Sequence, residues 1–340
     1  MKTLRKFIWP VIGLAAIMFS LWALYHELRG LSFDAFMSSL IAIPLHGWVL
    51  CVLSTVVAYA ALAGYDRLAL EHLGHKISLI FISLCSFTTY ALSHNLGASV
   101  FSGAVVRYRA YQSKGLTVTE VGLLVAFCSF TFALGTVMLS ALVLLLQPDI
   151  IERFTDVLPL GAAVSTGTVM LVFVALYVIG SLVGFRPIRT RWLKLEYPKP
   201  SLVLRQLIIA PMELIAAASI IYFALPHAGN PGFLVVLGIF LASFSVALLS
   251  HAPGGIGVLE LVFIAGLPEM NPADVLAALV VFRLLYLLIP FVFALGVILV
   301  FEGSRYRAEK RRERISPSPA EQFATSSDKD ATILTKRDGH

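Results

Sequence analysis

The sequence predicts an all-α, polytopic helical membrane protein, and three observations lead to that fold class. Hydrophobic residues make up 58% of the 340-residue chain and charged residues only 14%, whereas a soluble domain carries about 25% charged residues. Sixteen of the 46 charged residues lie between Glu302 and His340, so the remainder is more apolar still. Eight apolar segments reach the length of at least about 18 residues that a membrane helix needs. They lie near 8–25, 43–64, 77–97, 120–146, 159–184, 202–225, 232–250 and 275–301.

The charge distribution also divides the chain into a membrane domain, residues 1–304, and a tail, residues 305–340. Six basic residues between Arg305 and Arg314 suit anionic lipid head groups, and the polar sequence beyond them is typical of disorder. Membrane topology explains the net charge of +6, so we expect no nucleic-acid partner. The three cysteines lie inside apolar segments as small core residues, and we expect neither a metal nor a cofactor.

The positive charges favour six full crossings over eight. Eight crossings would place the basic stretches 98–119 and 185–200 outside, although cytoplasmic loops are the ones enriched in Lys and Arg. If 77–106 enters from the cytoplasm and returns, and 232–267 enters from outside and returns, the inner loops hold ten basic residues and the outer loops two. Both termini are then cytoplasmic.

The two predicted re-entrant segments are similar in sequence. SFTTYALSHNLG (86–97) and SFSVALLSHAPG (243–254) are identical at six of twelve positions with a constant offset of 157 residues. Three crossings separate them, so they enter from opposite sides, which is typical of the inverted repeats of transporters. The repeats would span about 43–146 and 202–301. After each break a new helix would begin, and its free N–H groups would attract anions.

Glu213 lies near the centre of the 202–225 segment, Arg283 lies inside 275–301, and Glu260 follows the second predicted helix break by three residues. Ionisable residues inside a membrane are costly and usually functional. We expect Arg283 to bind an anion, with Glu213 or Glu260 as its partner. A purely structural ion pair is the alternative. Glu260 is also positioned to cap the start of its own helix.

The helix breaks and one loop supply the other candidate residues. Those at the breaks are His94, Asn95, His251, Gly254, Gly255 and Gly257. The histidines fit helix capping, proton carriage or a metal pair, but two histidines are too few to indicate a metal site. Arg107 and Arg109 either bind lipid phosphate at the cytoplasmic exit or serve only as positive-inside anchors. We expect Asp66 and Arg67 to form a pair at the membrane interface.

Four stretches resemble a known family: YDRLALEHLGHKIS (65–78), VRYRAYQSKGLT (106–117), SHAPGGIGVLELVFIAGL (250–267) and FRLLYLLIP (282–290). They are similar to the stand-alone YbhN-like inner-membrane proteins of the lysylphosphatidylglycerol synthase transmembrane-region family. In the two-part MprF proteins, the membrane domain of this family resembles a lipid flippase and is fused to a soluble synthase. The resemblance implies a bacterial inner-membrane protein that binds or translocates an anionic phospholipid or related amphiphile. It does not imply lysyl transfer, which needs the soluble domain.

Two other functions are open: an intramembrane enzyme that modifies lipid head groups, and an accessory scaffold for a partner enzyme of lipid synthesis. The sequence shows no metal motif, no G-x-S-x-G and no nucleotide-binding loop, which disfavours an enzyme. The ionisable residues within the membrane disfavour a passive scaffold. We therefore predict a lipid-binding, flippase-like protein without enzymatic activity.

Overall fold

The computed structural model describes residues 33–96, 99–154, 160–184, 188–189, 194–195, 197–250, 255–300 and 303. The predicted first crossing, the predicted tail, His251 and Gly254 lie outside these residues. The chain divides into two compact units, Met1–Ala294 and Leu295–His340. In the second unit, the described part is the end of a helix that reaches Val300.

Within the described residues, five helices are long and apolar enough to cross a membrane. They are α2 (Leu45–His72), α5 (Val118–Leu146), α6 (Leu160–Val183), α7 (Pro200–Ala224) and the helical stretch Pro272–Val300. At about 1.5 Å per residue, each exceeds the roughly 30 Å of a bilayer core. Large apolar side chains such as Phe173 and Phe293 are 66% exposed, as expected of surfaces that face lipid. The prediction of a polytopic helical membrane protein is confirmed, and these helices coincide with five of the six predicted crossings.

The remaining elements are shorter. They are α1 (Phe33–Ala42), α3 (Leu79–Leu96), α4 (Ser99–Gln112), α8 (Phe233–Ser250), α9 (Val258–Gly266), α10 (Pro272–Phe282), a 3₁₀-helix (Pro148–Arg153) and a π-helix (Arg283–Leu288). The π-helix continues α10 and lies inside the stretch Pro272–Val300. Between α6 and α7, the antiparallel strands β1 (Ile188–Arg189) and β2 (Lys194–Leu195) form a two-residue pair.

Hydrogen bonds at the N-terminus explain where two of the helices, α5 and α10, begin. Thr117 and Glu120 form a reciprocal capping box at the start of α5, with Thr117 N donating to Glu120 Oε2 at 2.8 Å. At the start of α10, Asn271 Oδ1 accepts from Ala273 N at 2.9 Å. Pro272 occupies the first position of the helix, where a backbone N–H has no partner within the helix. The lack of an N–H in proline therefore costs no hydrogen bond there. Both starts satisfy backbone donors that would otherwise lie unpaired near the membrane.

Both predicted re-entrant segments are helical hairpins, α3–α4 and α8–α9, and each begins and ends at the same end of the bundle. Before the first hairpin, His75 Nε2 lies 2.9 Å from Glu120 Oε1, which follows it. Before the second, a Cβ on Gly229 would lie 3.3 Å from the carbonyl oxygen of Glu269, which follows that hairpin. A segment that crossed the membrane once could not bring its two flanks together in this way.

The two halves of the bundle have the same order of elements and opposite orientation. A long helix, a hairpin and a second long helix occur in α2–α5 and again from α7 onward, with α6 between them. The first helices of the halves, α2 and α7, pack antiparallel. Cys51 Sγ lies 3.2 Å from Ile220 O, Tyr65 Oη 3.3 Å from Ala210 O, and Arg205 2.6 Å from Glu71. The order of elements and the antiparallel first helices are what an inverted repeat would give.

Small residues allow the long helices to pack closely. A Cβ on Gly135 of α5 would lie 2.7 Å from the Cβ of Ala210 on α7, so the two backbones nearly touch. On α2, Ala58, Ala61 and Ala69 are buried to 1% exposure or less. Packing between small residues is the usual way in which membrane helices associate, because lipid supplies little hydrophobic driving force.

The charge bias and the hairpins together predict which loops share a side of the membrane. Cysteines introduced at 112–115 and 190–195 should be labelled from the cytoplasm by a membrane-impermeant maleimide, and cysteines at 149–156 from outside. The native Cys51, Cys85 and Cys128 are buried and free, so a cysteine-less background is accessible by conservative replacement. Labelling of 112–115 from the outer face would contradict this topology.

Candidate functional site

Asp66 and Arg107 form a buried ion pair between α2 and α4. Arg107 donates from two nitrogens, Nη2 to Asp66 Oδ1 at 2.6 Å and Nε to Asp66 Oδ2 at 3.2 Å. Their side chains are 0% and 6% exposed. Tyr111 Oη donates to Asp66 Oδ2 at 2.9 Å, and the guanidinium of Arg107 lies 4.8 Å from the ring centroid of Tyr90. Both charges are therefore compensated within the bundle.

This pair corrects two expectations from the sequence. Asp66 is bonded to Arg107 and not to Arg67, so the predicted interfacial pair is wrong. Arg107 was expected at the membrane surface, but it points into the bundle because Asp66 and Tyr90 hold it there. Arg109, two residues further along α4, is exposed, as the sequence predicts for a residue at the exit of the hairpin.

A second ion pair links α9 to the π-helix. Arg283 Nε donates to Glu260 Oε1 at 2.7 Å, and Arg283 Nη2 lies 3.3 Å from the carbonyl oxygen of Gly255. Glu260 Oε2 accepts from Gly257 N at 2.8 Å. One carboxylate thus caps its own helix and also pairs with Arg283. The side chains are 17% and 12% exposed, which leaves Arg283 and Glu260 partly accessible.

Glycine is required at two positions just before α9, at the end of this second helix break. Gly255 has φ +65° and Gly257 has φ +81°, in the left-handed region that side-chain-bearing residues rarely adopt. These two turns place the Gly255 carbonyl and the Gly257 N–H beside Arg283 and Glu260. The break therefore supplies backbone groups to the site as well as a change of direction.

The tip of the first hairpin contacts the same π-helix. Asn95 Nδ2 donates to the carbonyl of Leu287 at 3.1 Å, and the His94 ring stacks on Tyr286 with centroids 5.3 Å apart. His94 also lies edge-on to Phe244 of α8, at 6.4 Å between centroids. Asn95 at the first hairpin tip and Gly255 at the second therefore both contact the π-helix. That both breaks lie at one depth in the membrane stays a prediction. Residues 97–98, where the helix after the first break would start, lie outside the described residues.

Pro290 helps to explain why this stretch accepts side-chain hydrogen bonds. Proline has no N–H, so it cannot donate to the carbonyl four residues earlier, which belongs to Tyr286. That carbonyl instead accepts from Tyr59 Oη at 2.9 Å. The π-helical turn also changes which backbone N–H groups pair with which carbonyls. Such turns are frequent at functional sites. Two carbonyls of the π-helix are thus bonded by side chains of the other repeat.

Among the described residues, Glu213 forms no ion pair with Arg107 or with Arg283. It is 2% exposed on α7, follows Pro211 within the helix, and accepts from Tyr286 Oη at 2.6 Å. Tyr65 Oη lies 3.4 Å from its other oxygen. Of the two partners that the sequence offered for Arg283, the structure selects Glu260 and gives Glu213 a tyrosine environment.

Sequence patterns did not reveal several members of these clusters. Asp66 pairs across 41 residues, and Tyr59, Tyr65 and Tyr286 look like ordinary apolar-segment aromatics. One signal was present, because Tyr286 lies three residues after Arg283 and so shares its helix face. Among the described residues, no group of three His, Cys, Asp or Glu side chains is arranged to hold a metal ion.

The sequence matches a known family and several known proteins. The family model of the lysylphosphatidylglycerol synthase TM region matches residues 11–294. The chain is 30% identical over 270 residues to the slr0712 protein of Synechocystis sp., covering 77% of this chain and 82% of that one. It is 30% identical over 265 residues to the inner membrane protein YbhN of Escherichia coli, covering 76% and 81%.

A longer protein matches over part of its length. The chain is 26% identical over 314 residues to the phosphatidylglycerol lysyltransferase of Staphylococcus haemolyticus, covering 90% of this chain but 35% of that protein. The family match spans most of the sequence, including both hairpins and the π-helix. The chain therefore belongs to the lysylphosphatidylglycerol synthase TM region family.

Proposed function

We propose that the protein binds a phospholipid or related amphiphile and translocates it across the bacterial inner membrane, with both termini on the cytoplasmic side. The observation that carries the proposal is the Glu260–Arg283 pair at the meeting point of the two hairpin tips. Ionisable residues inside a membrane domain mark substrate pathways more often than they serve packing. This pair keeps some exposure whereas Asp66–Arg107 does not, which favours it over that pair as the site for a polar head group.

The chemistry of the pair suits a lipid phosphate. Arginine presents a planar set of N–H donors that matches two phosphate oxygens at once. In the resting protein Glu260 occupies one side of that set, at 2.7 Å. An arriving phosphate would replace Glu260 as the partner of Arg283, while Glu260 keeps its bond to Gly257 N. Exchange of one anion for another keeps Arg283 paired while the head group binds and leaves, and the Gly257 N–H still compensates part of the charge on Glu260.

The other candidate residues receive different roles in this proposal. Arg109, exposed at the end of α4, is assigned to the phosphate of lipids at the cytoplasmic surface. Asn95, Gly255 and Gly257 hold the hairpin tips around the pair. Arg107 is assigned to structure, because Asp66 already satisfies it. His251 and Gly254 stay sequence-based candidates for the second tip.

The relatives support a lipid substrate without fixing its identity. The longer matching protein is named for transferring lysine to phosphatidylglycerol, and this chain aligns with 35% of it. We assign this chain lipid binding and movement and no lysyl transfer. An enzyme of lipid synthesis that supplies the substrate is the partner that this role would require.

Reconstitution into liposomes tests the proposal. Vesicles of phosphatidylethanolamine and phosphatidylglycerol would carry phosphatidylglycerol with a fluorescent head group, and dithionite would quench the outer leaflet only. Vesicles with protein should lose more than the outer-leaflet half of the fluorescence, and protein-free vesicles should lose only that half. Arg205→Gln, at an exposed ion pair on α7, is the matched control and should behave as the wild type. Equal quenching with and without protein would refute translocation, and a chemically altered lipid detected by mass spectrometry would favour an enzyme instead.

A further inference from the structure

Glu213 is a buried carboxyl group that has no cation beside it within the described part of the chain. The polar contacts that its side chain makes there are with Tyr286 and Tyr65. The arginines of neighbouring helices are engaged elsewhere, Arg107 with Asp66 and Arg283 with Glu260. An ionised carboxylate in this place would be an uncompensated charge in a low-dielectric interior, which is strongly unfavourable. The Glu260–Arg283 mechanism gives this residue no task.

The hydrogen-bond geometry suits the neutral acid. Tyr65 Oη has one proton and two acceptors nearby, the Ala210 carbonyl at 3.3 Å and Glu213 Oε2 at 3.4 Å. If Tyr65 donates to the carbonyl, its oxygen is available to accept a hydrogen bond from a protonated Glu213 Oε2. Tyr286 donates to Glu213 Oε1 at 2.6 Å in either state. Every polar atom of a protonated Glu213 then has a partner.

Titratable groups from four elements lie around Glu213 and the tyrosines bonded to it. Those in reach of its carboxyl or of the tyrosines bonded to it are Tyr59 and Tyr65 on α2, Tyr286 on the π-helix, Tyr90 and His94 on α3, and Cys128 on α5. His94 stands out, because its Nδ1 is buried and has no hydrogen-bond partner among the described residues. It stacks on the ring of Tyr286, whose hydroxyl is bonded to Glu213. The imidazole of His94 at the hairpin tip is thus separated from the carboxyl of Glu213 by the side chain of Tyr286 alone.

We propose that Glu213 is a proton-binding site, and that it takes up and releases its proton as lipid is translocated. The coupling ion would be H⁺, bound from one side of the membrane and released to the other. This inference rests on the proposed function for its transport cycle. The proton-binding site itself is defined by geometry that does not involve the lipid.

The π-helix connects the two sites mechanically. It carries Arg283, which is bonded to the second hairpin, and three residues later Tyr286, which is bonded to Glu213. Displacement of Glu260 from Arg283 by a phosphate would release the π-helix from α9. Any shift of Tyr286 that follows would remove a hydrogen bond from Glu213 and change its affinity for the proton. Two sites that bias one movable element are coupled reciprocally.

Transport under an imposed pH difference tests the coupling. In the liposomes described above, wild-type translocation should speed up severalfold when a pH difference is imposed, and a protonophore should abolish the increase. Glu213→Gln should translocate at one rate with or without the pH difference. Glu71→Gln, an exposed glutamate at the end of α2, is the matched control and should respond as the wild type does. A wild-type rate that ignores the pH difference would overturn the coupling and leave the proposed function standing; absence of translocation under all conditions would overturn both.

Infrared difference spectroscopy tests the proton site without transport. The wild type at neutral pH should show a carbonyl stretch of a protonated carboxyl group that disappears on Glu213→Gln and persists in Glu71→Gln. A wild-type spectrum without that band would overturn the proton site. Folding of Glu213→Gln adds a further check, because glutamine mimics the neutral acid in shape and hydrogen bonding. Failure of this variant to fold would show that the bundle needs the ionised form, which contradicts the proposal.

Discussion

Replacement of Asp66 by alanine is expected to lower the free energy of unfolding by about 3–5 kcal/mol, because it leaves Arg107 buried without its carboxylate. Both side chains lie inside the bundle, at 0% and 6% exposure, so water cannot compensate the remaining charge. Tyr111 would also lose its acceptor. Unfolding followed in detergent by temperature or by added sodium dodecyl sulfate would measure the change.

A matched pair of exposed charges provides the control. Glu71 and Arg205 lie 2.6 Å apart with side chains 46% and 39% exposed, and such pairs contribute about 0–1 kcal/mol. Glu71→Ala should therefore change stability far less than Asp66→Ala. The double replacement Asp66→Asn with Arg107→Gln should recover part of the loss, because it removes both charges. A loss for Asp66→Ala no greater than for Glu71→Ala would show that the buried pair has little structural role.

The crossing helices and the hairpins could be predicted because they depend on local properties of the sequence. Segment length and apolarity define a helix such as α5, and the bilayer leaves few alternatives to a helix. The hairpins followed from two further patterns, the bias of positive charge and the repeated SF…SH…G sequence. The His75–Glu120 contact places both flanks of the first hairpin at the same end of the bundle. The antiparallel packing of α2 with α7 gives the two halves opposite orientations. Both features are the ones that these patterns predict.

Ion-pair partners could not be predicted, because they depend on the rotation of helices about their axes. Asp66 lies beside Arg67 in sequence, but its side chain faces α4 and not the membrane interface. The choice between Glu213 and Glu260 as partner of Arg283 depends on how the helix that begins at Pro272 is rotated about its axis, and in the structure Arg283 faces Glu260 of α9. Pro290 indicates in the sequence that this helix is irregular, but it does not predict that the irregularity is a π-helix.

Arg283→Gln is expected to reduce lipid translocation to the rate of protein-free liposomes while the protein stays folded. Glutamine keeps a hydrogen-bond donor for Glu260 but loses both the charge and the planar fork that would hold a phosphate. Arg283→Lys should restore only part of the rate, because a point charge replaces the fork. Size-exclusion chromatography and thermal unfolding of each variant would confirm that the loss is not a loss of folded protein.

A double replacement separates a lipid-binding role from a structural one. If Arg283 serves only to hold α9 against the π-helix, then Glu260→Gln with Arg283→Gln should restore stability and translocation together, since two amides can replace the ion pair across 2.7 Å. The amide oxygen that Glu260→Gln introduces could still accept from Gly257 N, so the helix cap would survive. If Arg283 binds the phosphate, the double variant should fold as well as the wild type and still fail to move lipid, because the arginine that would hold the phosphate at the meeting point of the hairpin tips is gone. Recovery of translocation in the double variant is the result that would remove Arg283 from the lipid path.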